Sequence, residues 1–366
     1  MSFLKIPQTK EIAVIGAGVI GNCTAWHLGE LGHEINLIEP KAQESQNRDF
    51  PNNGTSASLG ILMGNVFRRT KGRAWNLRKE SMATWPKWIR KLQAVEGDLT
   101  INTPLIQIAS SIEEEKKIAD FVRSQSSRGL EILSIDQIKN LQPSLEYVKF
   151  NGLISYNDGW LNPIKLQKSL IKAQRQFAVN QINDHVVKLE RCQKKSNGRW
   201  TIYLEKNEKL TVNTVVICAG MNSEGLIKDL GYRFNTTPVV GQAIEVKIDN
   251  VSWENWPAVL VKEGINLIPI DTNKIILGAT LEPGLKHSQQ CLREIFSLKG
   301  CAPKWLLEGE ICKKWYGIRA RPANQPAPIL EKPEPGLILA TGLYRNGILL
   351  APATTKWIAS QIEVDE

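Results

Sequence analysis

Gly16, Gly18 and Gly21 stand in the segment GAGVIG, directly after the apolar run EIAVI at residues 11–15. Their spacing is G-x-G-x-x-G, and between a strand and a helix that pattern binds the pyrophosphate of a dinucleotide. Gly16 permits the tight turn, Gly18 lets backbone approach a phosphate, and Gly21 lets helix pack on strand. Phosphate oxygens then face N–H groups at the positive end of the helix. Glu39 ends a second apolar run, EINLIE. A carboxylate there accepts hydrogen bonds from a ribose and repels a 2′-phosphate. The pattern by itself does not separate NAD from FAD.

The other chemistry-bearing residues form no comparable motif. Cysteines at 23, 192, 218, 291, 301 and 312 include no C-x-x-C pair, and His27, His33, His185 and His287 show no ligand spacing. Zinc and dithiol chemistry are therefore not expected. Cys218 lies in the apolar run VVICAG, where a thiol behaves as a small hydrophobe.

The glycine turn must sit in a βαβ unit covering residues 11–39, with a helix from about Val19 to Leu31 that Gly32-His33 breaks. Further helical patterns occupy roughly 73–94, 113–128 and 164–178, and a last helix is expected from about Pro352 to Ile362, with the proline in its first turn. Strand-like runs fall at 105–109, 185–190, 200–205, 213–218, 243–248, 265–270, 274–278 and 337–341. The polar stretch 41–54 reads as a surface loop or flap. Early strand–helix alternation with antiparallel-looking strands later gives a mixed α/β and α+β reading: a doubly wound Rossmann-like domain interrupted by a second, mainly antiparallel one.

The chain has 366 residues, enough for two packed lobes. Hydrophobic residues make up 42% and charged residues 23%, which excludes a disordered chain. The start MSFLKIPQTK does not resemble a signal peptide and no apolar run is long enough to span a bilayer, so a cytoplasmic location is expected. A formal charge of +9 is partly concentrated in RRTKGRAWNLRK, residues 68–79. Such a run suits nucleic acid or an acidic membrane surface, but a solvated helix face is the plainer reading. Trp75, Met82, Trp85, Ile89 and Leu92 follow at helical spacing, so they are expected in a core.

Beyond these patterns the sequence resembles the D-amino-acid oxidase superfamily of flavoproteins, and within it the glycine oxidase branch used in thiamine biosynthesis. The resemblance runs through GAGVIG, TSASLGIL (55–62), GWLNP (159–163), VVICAGMNS (215–223), PVVGQ (238–242), LGATLEPG (277–284), WYGIR (315–319) and ATGLYRNGILLAPAT (340–354). It implies non-covalent FAD. Val19 and Ile20 then match the pyrophosphate site, Glu39 and Pro40 the ribose corner, and Val186 an adenine contact. Gly54, Thr55, Ser56, Leu59, Gly60 and Ile61 match a loop beside the flavin, and Ala219-Gly220 the cofactor edge of a strand. Gly342, Leu343, Tyr344, Arg345, Asn346, Gly347, Ile348 and Leu349 match the segment along the flavin's pyrimidine side. The division it implies is an FAD-binding domain of residues 1–85, 150–232 and 322–366, and a substrate domain of 86–149 and 233–321.

On the substrate side the resemblance places a carboxylate-binding arginine at Arg319 and a second arginine at Arg345, with Ile61 lining the site. A guanidinium suits the first task because its planar fork pairs bidentately with a carboxylate. Several residues depart from the family pattern. Ala320 and Arg321 intervene where a proline usually follows the arginine, and Asn324 stands in place of an aspartate. Asn266 replaces a tyrosine, Ile270 an arginine and Leu343 a histidine, so Arg321 shares or replaces the clamp and glycine itself is in question. Cys312 lies about two positions before the cysteine that links flavin in monomeric sarcosine oxidase.

The expected activity is oxidation of a small amino acid or amine, of glycine, sarcosine or D-amino-acid type, with oxygen or a quinone as acceptor. The alternatives are a tRNA wobble-uridine-modifying oxidase and a flavin-binding scaffold without catalysis. Nucleic acid is not the expected partner, and a homo-oligomer is left open.

Overall fold

The computed structural model describes residues 9–40, 54–192 and 200–363; of the expected flap, 41–53 lie outside the described residues. Six strands build the first sheet, in the order Ile329–Glu334, Leu337–Thr341, Thr214–Ile217, Glu11–Ile15, Glu34–Ile38 and Asn180–Ile182. All neighbours are parallel except the edge hairpin. The central strands are apolar apart from one end residue each (Glu11, Thr214 and Thr341) because both faces are covered. Ile12, Val14 and Val216 meet a layer holding the helices Val19–Glu30, Arg73–Gln93, Pro163–Gln174 and Gly347–Glu363. Ala13, Ile15 and Val215 point the other way, onto the antiparallel strands Val186–Arg191, Trp200–Leu204 and Lys209–Val212.

The second sheet has nine strands and is mainly antiparallel. Its longest pairing joins Thr236–Lys247 to Glu310–Pro322. Alternation divides its side chains: Ile244, Val246, Leu267 and Leu277 face one core, while Ala243, Ile268 and Trp315 face another with Ala57 and Leu59.

Two expectations are corrected. The C-terminal helix begins at Gly347, not near Pro352. Burial of Ile348, Leu349, Leu350 and Ala351 overrides the proline, the Asn346 carbonyl accepts from Leu350 N (2.8 Å), and Ala353 N donates to Ser81 Oγ (3.2 Å). Within the basic run, Arg68, Arg69 and Lys79 are exposed but Arg78 is buried, its guanidinium 3.8 Å from the Phe67 ring centroid. Helix Arg73–Gln93 is continuous and buries Trp85, Trp88, Ile89 and Leu92 in the first core, while Gly152–Ser155 pairs in the second sheet. Among the described residues, no helix is long and apolar enough to cross a membrane.

Candidate active site

The turn after strand Glu11–Ile15 is built to its glycines. Gly16 has φ +102°, and a Cβ there would lie 2.7 Å from the Cys218 carbonyl oxygen. A Cβ on Gly21 would lie 1.7 Å from the Gly16 carbonyl oxygen. Gly18 caps the first helix without a side-chain hydrogen bond, and no acid stands in that helix's first turn. Ala17 N donates to Glu39 Oε2 (2.9 Å) and Val19 N to Thr55 Oγ1 (3.0 Å). Beneath the turn, buried Asn22 donates through Nδ2 to the Ala17 carbonyl (2.6 Å) and to Gln167 Oε1 (2.8 Å). No spacing rule singled out Asn22 or Gln167, because their partnership spans 145 residues.

Three other segments reach this turn. The loop from Gly54 to Gly60 arrives through Thr55 and Ser56 and is tied down by two indoles. Trp160 Nε1 donates to the Leu59 carbonyl (2.6 Å) and Trp315 Nε1 to the Ala57 carbonyl (3.0 Å). Gly60, at φ +79°, has no room for a Cβ, which would lie 1.9 Å from the Leu161 carbonyl oxygen. Ile61 follows, paired with Trp160.

The second segment is Ala219-Gly220. Ala219 lies against Gly16, and the Gly220 carbonyl accepts from Thr341 Oγ1 (3.0 Å). The third is Gly342–Leu349. Gly342 (φ +62°) abuts Pro322 and Ile329, Tyr344 holds φ +55°, and a Cβ on Gly347 would lie 3.7 Å from Val19 Cγ1. Arg78 Nη2 donates to Asn346 Oδ1 (3.1 Å), and Trp85 Nε1 to the Leu349 carbonyl (3.2 Å). Leu343, Ile348 and Leu349 are buried in the first core; Ile20 lies there too. Val186 packs into the core that holds Ile15 and Ile38, and Pro40 ends the described segment beside Glu39.

The turn after Ile61 is ordered by one buried acid. Asp158 Oδ1 accepts from Gly64 N (2.8 Å), and Asp158 Oδ2 from Val66 N (2.8 Å) and Ser155 Oγ (3.0 Å). Burial pushes the Asp158 carboxyl up, against the hydrogen bonds to Asn65 and Val66 that favour its charged form. Asp158→Asn places a donor among these donors. On the order of 3 kcal/mol of stability is expected to be lost, read by urea denaturation of the holoenzyme. An unchanged midpoint would refute that role.

The substrate-side residues come together by strand register. Asn266 pairs with Gly278, Gly278 with Ala243, and Ala243 with Trp315, so these share one sheet face. Gly241 and Arg319 lie on that face too, by period-two alternation. Trp315 brings the loop from Gly54 to Gly60 onto it.

Arg319 Nη1 donates to the carbonyls of Val240 (3.2 Å) and Thr280 (3.0 Å). A Cβ on Gly241 would lie 2.1 Å from its Nη2. Burial, then the neighbouring Arg345 guanidinium, pull Arg319 below the usual arginine range. Asn266 Nδ2 donates to the Gly278 carbonyl (2.8 Å). The Arg321 guanidinium lies 5.7 Å from the Tyr344 ring centroid. Arg321 and Arg345 are exposed.

This arrangement fits a flavin dinucleotide. An uncapped helix start free of acids receives phosphate, and Glu39 beside it retains acceptor capacity for a sugar hydroxyl. Small residues at 54–58 and the glycines at 60, 342 and 347 leave backbone within reach of a ring.

The chain is similar to known proteins along its length. The chain is 24% identical over 360 residues to a glycine oxidase of Bacillus licheniformis, covering 96% of this chain and 92% of that one. It is 26% identical to the bifunctional protein ThiO/ThiG of a Synechocystis species, covering 97% of this chain but only 52% of that protein. The crystal structure of glycine oxidase from Geobacillus kaustophilus superposes with a TM-score of 0.83 at 22% identity, covering 98% of this chain and 95% of that one. Residues 11–361 match the FAD dependent oxidoreductase family (DAO). Since that match spans nearly the whole chain, the protein belongs to this family and is an enzyme that uses FAD.

Proposed function

We propose that the protein oxidises the Cα–H of a small amino acid or amine, releasing an imine that water hydrolyses to a 2-oxo acid. The observation that carries this reading is the partly buried Arg319 guanidinium, on the sheet face that Trp315 ties to the 54–60 loop, with both of its hydrogen bonds given to carbonyls. A largely desolvated cation whose hydrogen bonds go to neutral carbonyls is suited to an anionic ligand. Bound FAD supplies the two-electron acceptor, held without a covalent bond.

The chain's own groups then have separate tasks. Arg319 holds the carboxylate, its plane set by the Val240 and Thr280 carbonyls. Asn266 and Ile61 line the site near it. First-turn N–H groups of helix Gly347–Glu363 offer their positive end to negative charge that develops beside them. The nucleotide-facing part is the first sheet with its helices, and the substrate-facing part is the second sheet. Oxygen is the proposed acceptor, with hydrogen peroxide as product. The resemblance to the glycine oxidase branch supports a place in thiazole formation for thiamine.

Anaerobic mixing of the yellow holoenzyme with glycine, sarcosine and D- and L-amino acids tests the reading, since oxidation of any of them bleaches the flavin. A flavin that none of them bleaches would refute it and favour a non-catalytic scaffold. Reoxidation in air, compared with a quinone analogue, separates oxidase from dehydrogenase.

Gly241→Ala gives a second test. Its new Cβ meets the mobile end of Arg319 rather than backbone, so the fold survives while the guanidinium is displaced. KM is expected to rise on the order of tenfold with FAD retained. An unchanged KM would show that Arg319 does not work from this position.

A further inference from the structure

We propose that the substrate carries two carboxylates, the first held by Arg319 and the second by Arg321 beside Tyr344. This rests on the amine-oxidation reading and names its substrate class.

Arg319 and Arg321 are two residues apart on strand Glu310–Pro322, paired opposite Val239 and Thr237, so their side chains leave the same face. Their Cα atoms are about 7 Å apart along the strand. Arg319 reaches inward over Gly241, and Arg321 reaches toward the Gly342–Leu349 segment, where its guanidinium stands 5.7 Å from the Tyr344 ring centroid. Tyr344 is held in the left-handed region at φ +55°, a conformation that a non-glycine residue keeps only where its surroundings enforce it. Arg345 follows it and bears on Arg319. Three guanidinium groups thus gather between the sheet face and this segment.

Among the described residues none of the three stands in an ion pair. The acid that bears on Arg319 is Glu282, and its oxygens already accept from Gln242 Nε2 (2.8 Å), the Thr280 hydroxyl and Ser288 N (2.5 Å). The ion pairs among the described residues involve other arginines and lysines. Asn324, just beyond the strand, brings no charge. A monocarboxylate held by Arg319 would leave Arg321 and Arg345 without an acidic partner. A dicarboxylate neutralises the inner and the outer arginine together, and two carboxylates three to five bonds apart suit the offset of the two side chains. Tyr344 offers its ring face to the outer guanidinium, fixing it for a planar partner.

The test compares anaerobic flavin reduction of the holoenzyme by aspartate and glutamate (both enantiomers) and iminodiacetate with reduction by glycine, alanine and sarcosine. At least one dicarboxylate is expected to have a reduction rate over half-saturating concentration about fivefold or more above every monocarboxylate, the margin of an ion pair partly shielded from water. Arg321→Gln is expected to erase that preference and Arg321→Lys to retain most of it, with the flavin spectrum confirming a folded, loaded protein in both. Monocarboxylates preferred by the wild type, or a preference that Arg321→Gln leaves intact, overturn the proposal while oxidation of amines stands. Failure of every compound to bleach the flavin removes the amine reading and this inference with it.

Discussion

Exchange of Gly21 for alanine is expected to give a protein that no longer retains FAD. The added Cβ would lie 1.7 Å from the Gly16 carbonyl oxygen and 2.9 Å from its carbon. Both are backbone atoms, so no rotamer change relieves the overlap, and the first helix must move off the strand by more than an ångström. That movement takes with it the two bonds that shape the turn, Ala17 N to Glu39 and Val19 N to Thr55. The Kd for FAD is expected to weaken at least about 100-fold, corresponding to about 2.7 kcal/mol. Gly18→Ala is the internal comparison. Its Cβ would meet only the Thr55 hydroxyl, at 3.3 Å, so a milder loss is expected. Flavin absorbance retained after gel filtration, followed by FAD titration, measures both. A Gly21→Ala protein that purifies yellow with unchanged Kd would contradict the assignment of this turn.

The nucleotide turn was legible because its requirements are local. Strand, glycines, helix and acid all fall within residues 11–39, and Gly16 and Gly21 are each demanded by a backbone contact inside the turn or at the end of the neighbouring strand. Strands such as Lys274–Gly278 and Leu337–Thr341 matched their apolar runs for the same reason. The strand Glu310–Pro322 was not read as a strand, although it carries Arg319 and Arg321. Its lysines, Gly317 and mixed aromatics break the alternation, and it is held by pairing along Thr236–Lys247, about seventy residues earlier in sequence.

Arg78 escaped for a related reason. A charge in a basic run looks solvated until Phe67, just before the run, and Asn346, from a distant segment, close over it. Family resemblance supplied candidates for the substrate side, and only strand register shows that Asn266, Gly241 and Arg319 share a face.

Replacement of Arg319 by alanine is expected to lower kcat/KM for the amine substrate by about 10²- to 10³-fold while FAD remains bound. The guanidinium is oriented by two backbone carbonyls, and burial together with Arg345 works against its charge. An arginine stays protonated under such pressure, so the strain is carried by the empty site and relieved when a carboxylate arrives. Truncating one partner of a buried, hydrogen-bonded charge pair costs about 2–5 kcal/mol, which sets the size of the effect. Arg319→Lys keeps the charge but loses the planar fork, since one ammonium cannot serve both carbonyls and a bidentate carboxylate. It should therefore fall between wild type and alanine, with the loss mostly in KM. The loss is expected on the substrate side because Arg319 stands on the second sheet, whereas the glycine turn follows a strand of the first. A variant that lost flavin and activity together would assign Arg319 to the architecture of the cleft, and one with wild-type kcat/KM would leave the carboxylate to another cation.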